Sequence, residues 1–265
     1  MKKLLSIALA TAGFAHVGFG QASPSPDALP PGPLVVQRTP GTLQWTVDFT
    51  YGENPKPEKA AARERRFRKL AEEDPALAKA MDDPQFQQAL DAPRLKRLVI
   101  TKTGDLRHEE RFFEGGQKAE TWRGADFRVE KKINLADWSV SLAEAPPGDF
   151  PEFNWVSRAN FTRIETTDDR KVAVFEQKLD PVRVLFPQVS QHNAPPADEE
   201  LLVPVTAKID MKMHLPVSLE IAGDKRVYTF PDSPPLAIVM PPEVAAALQE
   251  TRARIQEQTR PLSRP

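Results

Sequence analysis

The chain contains no cysteine. Disulfides, thiol nucleophiles and cysteine-ligated metals are thereby excluded, as is the acylated cysteine of a bacterial lipoprotein. Stability has to come from an ordinary packed core. Histidine is scarce, at four residues, and only His108, His192 and His214 lie beyond position 22. His108 precedes Glu109-Glu110, which is not the spacing that sets two ligands on one helical face. Neither a GxSxG elbow nor a phosphate-binding GxxxxGK[ST] loop occurs. An excess of either charge is also missing: 36 Lys and Arg stand against 37 Asp and Glu. The basic surplus expected of a nucleic-acid-binding domain is therefore absent. The paired carboxylates, Asp82-Asp83, Asp168-Asp169 and Glu199-Glu200, fall in turn or loop signals, where acidic residues serve the backbone. Nothing in these patterns names a catalytic residue, a metal site or a cofactor, and the reading favours a non-enzymatic protein with no nucleic-acid partner.

What is plentiful is proline, 27 of 265 residues, against a usual share of about 5%. Proline cannot donate to a sheet ladder, so this abundance points to many loops and edges. The first 22 residues read as a secretory signal. Lys2 and Lys3 give the charged start, an apolar stretch follows, and small residues allow cleavage after Gly20 or Ala22. No later run is apolar enough to cross a bilayer, so no transmembrane anchor is expected after signal removal. The expected location is periplasmic or secreted. Residues 23–33 form a proline-rich leader, 34–243 a single β-rich domain, and 244–265 a C-terminal helix and tail.

Within that domain the dominant period is two. Leu43, Trp45, Val47, Phe49 and Tyr51 alternate with polar residues, as a half-buried strand requires. Further strands are expected at 95–103, 106–113, 117–123, 127–133 and 138–142, with short ones at 34–38, 182–186 and 236–240. A hairpin over 159–165 and 170–178 completes the set. Between 57 and 91 the period becomes helical, and Asp74-Pro75 and Asp83-Pro84 supply helix starts, so a helical insertion is expected there. Pro241-Pro242-Glu243 opens a last helix with Val244, Ala247, Leu248, Thr251 and Ile255 on one face. The loop at 145–155 carries Phe150, Phe153 and Trp155, which should pack down on the domain.

The longest alternation runs from Val203 to Leu215 and places Val205, Ala207, Ile209, Met211 and Met213 on one side. It reads as a bent strand, followed by a hairpin at Gly223-Asp224. This stretch, Ile209-Asp210-Met211-Lys212-Met213-His214-Leu215-Pro216-Val217, with the Ala222-Gly223-Asp224 turn, the Tyr-Thr-Phe strand and the proline-rich run-out to Pro242, carries a family pattern. It resembles the late strands of the periplasmic lipoprotein-carrier superfamily, the LolA-like and RseB-like curved-sheet half-barrels. That resemblance implies a strongly curved antiparallel sheet whose concave apolar face accepts acyl chains or other hydrophobic ligands. The fold class is thus mainly β (α+β), with an inserted helical segment and a C-terminal helix.

The functional expectation is an exported carrier or sensor of a lipid or other apolar ligand. Trp45, Val47 and Phe49, with Ile209, Met211 and Met213, are the candidate ligand-binding residues, since aromatic and methionine side chains adapt to irregular apolar partners. The rival expectation is a cell-envelope interaction or structural protein in which those faces are filled core.

Overall fold

In the computed structural model of the chain, the described residues are 29–52, 93–131, 133, 137–142, 148–167, 169–180, 184, 202–233 and 235–259. The expected signal segment, the start of the expected leader, the helical insertion expected at 57–91, His192 and the stretch 187–200 lie outside them. Among the described residues, eleven strands pair antiparallel throughout. They are β1 (Thr42–Thr50), β2 (Leu95–Thr103), β3 (Leu106–Phe113), β4 (Lys118–Arg123), β5 (Arg128–Lys131), β6 (Ser139–Ser141), β7 (Phe161–Thr167), β8 (Arg170–Leu179), β9 (Val203–Asp210), β10 (Pro216–Ile221) and β11 (Asp224–Thr229). The order β6-β5-β4-β3-β2-β1-β11-β10-β9-β8-β7 describes two meanders sewn together by the first and last strands. Val47 lies opposite Tyr228 and Phe49 opposite Arg226 across that seam. The sheet is open, with β6 and β7 at its edges. One helix, α1 (Pro242–Thr259), follows the sheet.

The mainly β, curved-sheet expectation agrees with this architecture, and most strand limits fall within two residues of those read from alternation. Three expectations are corrected. The 203–215 stretch is not one bent strand: β9 ends at Asp210, and residues 211–215 turn into β10. The Asp210 carboxylate accepts from the backbone N–H of Lys212 at 2.8 Å and of Met213 at 2.9 Å, while His214 adopts a positive φ of 54°. A side chain that ties the backbone two and three residues on is a turn device, and it overrides the apolar alternation. Residues 236–240 form no strand, because Ile238 spends its N–H on the Thr103 hydroxyl at 3.1 Å. Residues 34–38 are likewise irregular, and of 182–186 only Val184 is described, in a helical conformation.

Residues directly opposite across a ladder share a face. The face bearing Trp45 is here called inner. In the β7–β11 and β1–β2 half it is apolar, and Trp45, Val47, Ile100, Phe175, Ala207, Ile209 and Leu219 are all buried there. Phe150 and Phe153 from the 148–156 segment join the same cluster as Trp45 on β1 and Phe175 on β8, so the sheet curves around that segment. Phe150 sits 5.2 Å from Trp45 and 6.3 Å from Tyr228, ring centre to ring centre. Each such ring withdraws ~150–250 Å² from water, which makes this the main core.

A second cluster lies on the outer face of β3–β6. Trp122 and Val129 are opposite each other, Val129 faces Val140, and α1 covers them with Val244 and Leu248. His108 stacks on Trp122 at 4.1 Å, and both donate toward Glu120 Oε1.

Candidate functional site

The inner face changes character along the sheet. Trp45 faces Ile100, Ile100 faces Glu109, Glu109 faces Thr121, and Thr121 faces Glu130. One row further along, Lys102 is followed by Arg107, Arg123 and Arg128. Apolar rows on β1 and β2 therefore run into an ionic array on β3–β5.

A cavity of about 210 Å³ opens at this boundary. Its apolar floor is Trp45, Val47, Phe49, Leu98 and Ile100; Arg107, Glu109 and Arg123 of β3 and β4 line one side, Arg226 and Tyr228 of β11 the other, and Asp149, Pro151 and Glu152 complete it. The roof is the segment at 149–152, and its position is fixed by polar contacts. Asp149 accepts from Lys102 Nζ at 2.6 and 2.8 Å and from the Thr39 N–H and hydroxyl at 2.9 and 2.7 Å. Gln37 brackets the next residue, donating to the Phe150 carbonyl at 2.9 Å and accepting its N–H at 3.2 Å. A Cβ at Gly148 would come 2.5 Å from the Gln37 side-chain oxygen, so any larger residue there would shift the Gln37 bracket. Burial works against ionisation of Asp149, but the Lys102 and Thr39 hydrogen bonds outweigh it and hold the carboxyl below its ordinary value. Tyr228 donates to Glu152 at 2.7 Å, and burial together with that carboxylate pushes its hydroxyl well above the usual phenol range.

Glu109 is the centre of the ionic array. Arg107 lies 3.0 Å from it, Arg111 2.8 Å and Arg123 3.2 Å, while Glu130 takes Arg111 at 3.1 Å and Arg128 at 2.8 Å. Burial opposes the charge on Glu109, but the four surrounding guanidiniums prevail and keep its carboxyl below the ordinary range. Arg123 shows the converse: burial, then repulsion from Arg128, Arg107 and Arg111, lowers its pKa despite the pull of Glu109. Arg107 also lies over the Trp45 ring at 5.1 Å, and Arg226 over Phe49 at 5.3 Å, so cations cap the aromatic floor.

The sequence-predicted residues divide between two places. Trp45, Val47 and Phe49 line the large cavity. Ile209 and Met211 line a separate void of about 10 Å³ beside Leu29 and Phe175, room for about one water. Met213 stands in the β9–β10 turn, 56% exposed. The alternation rule did not select Arg107, Glu109, Arg123, Asp149, Glu152 or Arg226. The available signal was the alternate charged positions 107, 109 and 111 on β3, a pattern that ordinarily marks a solvent face.

No family model and no curated protein sequence matches this chain. Solved structures do. One is the Mycobacterium tuberculosis lipoprotein LppX, 11% identical, covering 76% of this chain and 90% of that one, with a TM-score of 0.37. The likeness is a weak one of fold. Among the described residues no helix is long and apolar enough to cross a membrane.

Proposed function

We infer that this chain is an exported, non-enzymatic carrier or sensor that holds a hydrophobic or lipid-like ligand against the inner face of its curved sheet. The carrying observation is the cavity in which Trp45, Val47 and Phe49 of β1 meet Leu98 and Ile100 of β2 beneath the 149–152 roof. A hollow over a packed aromatic floor forfeits dispersion contacts along its lining, and an apolar occupant restores them. At about 210 Å³ it is smaller than the ~300–1,000 Å³ of drug-sized pockets, so it suits one chain segment rather than a whole multi-chain lipid. The exported location and the division into signal, leader, single domain and C-terminal helix belong to the same reading. Native mass spectrometry of gently purified protein is the test. An extra lipid-sized mass, lost in Trp45→Ala, is expected; repeated bare protein from membrane-containing lysates would overturn the carrier.

A second reading has its own observation. Leu236 and Val239, just before α1, are 90% and 81% exposed, and an envelope protein docking there would cover them. Charged substitutions at both positions should abolish a pull-down without altering the melting temperature if that reading holds.

A further inference from the structure

We propose that the ligand held in the cavity is a single-chain anionic amphiphile, whose carboxylate or phosphate group is taken by Arg107 and Arg123. This rests on the reading of the cavity as an apolar-ligand site and adds the chemistry of the head group.

The first observation is charge balance. Around the cavity and its direct ion partners stand Lys102, Arg107, Arg111, Arg123, Arg128 and Arg226. Against them the described residues set Glu109, Glu130, Asp149 and Glu152. The set as a whole carries two more positive than negative charges, and Arg107 and Arg123 share the one Glu109 carboxylate with Arg111 while only 15% and 23% exposed. Uncompensated buried charge is costly, and an incoming anion offsets it.

The second observation is hydrogen bonding. The buried Nε atoms of Arg107, Arg123 and Arg128 have no aligned acceptor among the described residues. Arg107 and Arg123 Nε lie 3.0 and 3.2 Å from Glu109 Oε1, but off the N–H axis, so one carboxylate oxygen serves two donors poorly. Guanidinium presents a planar fork that suits the two oxygens of a carboxylate or phosphate. The third observation is placement. Both arginines line the same cavity as the Trp45–Val47–Phe49 floor, with Arg107 directly over Trp45. A head group at the arginines leaves its chain lying on the aromatic floor. At about 210 Å³, against about 10 Å³ for the one-water void beside Ile209, the cavity has room for a short chain.

The full chain is titrated calorimetrically with octanoate, octan-1-ol and inorganic phosphate. Octanoate should bind at least tenfold more tightly than octanol, and rising salt should weaken octanoate alone. Arg123→Gln should bring octanoate down to the octanol level, and Arg123→Lys should recover part of the difference. A cooperative thermal transition and a native circular dichroism spectrum show that each variant is folded; a folded Arg123→Gln that keeps the octanoate preference would overturn the head-group assignment. Equal affinity for octanoate and octanol would overturn the head-group assignment and leave the apolar site standing. Binding of neither would overturn both. Phosphate binding as tightly as octanoate would give the arginines to a free anion and overturn the amphiphile.

Discussion

The two halves of the sheet build their hydrophobic clusters on opposite faces. In the half built by β7–β11 with β1 and β2, the inner face is the core, filled by Trp45, Phe175 and the aromatic residues of the 148–156 segment. In the half built by β3–β6, the apolar face is outer, where α1 covers Trp122 and Val129, and the inner face is ionic. A single sheet can do this because each strand has two faces and what packs on them is supplied by other parts of the chain. The changeover creates an amphipathic boundary. The cavity lies on it, with aromatic floor on one side and guanidiniums on the other.

The inner core is most vulnerable at Trp45. Trp45→Ala empties the centre of the inner core, and should cost about 3–5 kcal/mol in chemical denaturation. Next comes the ionic half. Glu109→Gln leaves Arg107, Arg111 and Arg123 without their shared carboxylate, which should cost about 3–5 kcal/mol at low salt. Raised ionic strength should restore part of that loss, whereas it should not rescue Trp45→Ala. On the outer face, Leu248→Ala should cost about 2–3 kcal/mol. Hydrogen exchange should then accelerate in β4 and β5 before β8–β10, since α1 packs on the former. Uniform acceleration would show that the two halves are not separate packing units.

Acid should act through Asp149 and Glu109. Both carboxyls are held below their ordinary values, so their stabilisation is complete above about pH 4 and is lost as pH falls through the depressed folded values. Denaturant midpoints measured from pH 6 to pH 2 should fall more steeply for the native protein than for Asp149→Asn. The smallest expected effect is favourable. Ala222 occupies a left-handed turn position with φ 55°, next to Gly223 at 97°, and Ala222→Asn should raise stability by about 1 kcal/mol. A lower melting temperature in that variant would refute the turn assignment.

Much of the fold was legible because alternation is a local property. β2 and β3 fall at the expected limits, and Gly104, with a φ of 58°, marks the turn between them. The C-terminal helix was announced by Pro242 at its start and by Val244, Leu248 and Thr251, all buried. Alternation misled at 211–215, where the Asp210 carboxylate captures the backbone and closes a turn that apolar spacing cannot reveal. Of the candidate cavity, the floor was legible and the charged wall was not. Trp45, Val47 and Phe49 stand out as heavy inward residues, whereas Arg107, Glu109 and Arg123 carry the composition of a solvated face.

The strands, the apolar face of β1 and β9 and the absence of thiol chemistry follow from residue type and spacing along the chain. Which side of the sheet each face packs against is settled by tertiary contacts, and for β3 and β4 these put the charged face inside. That choice rests on where the 148–156 segment and α1 come to pack, and so on contacts between residues more than a hundred positions apart, such as the 5.2 Å approach of Phe150 to Trp45. By that choice, guanidiniums on β3 and β4 become one wall of a cavity floored by tryptophan, valine and phenylalanine from β1.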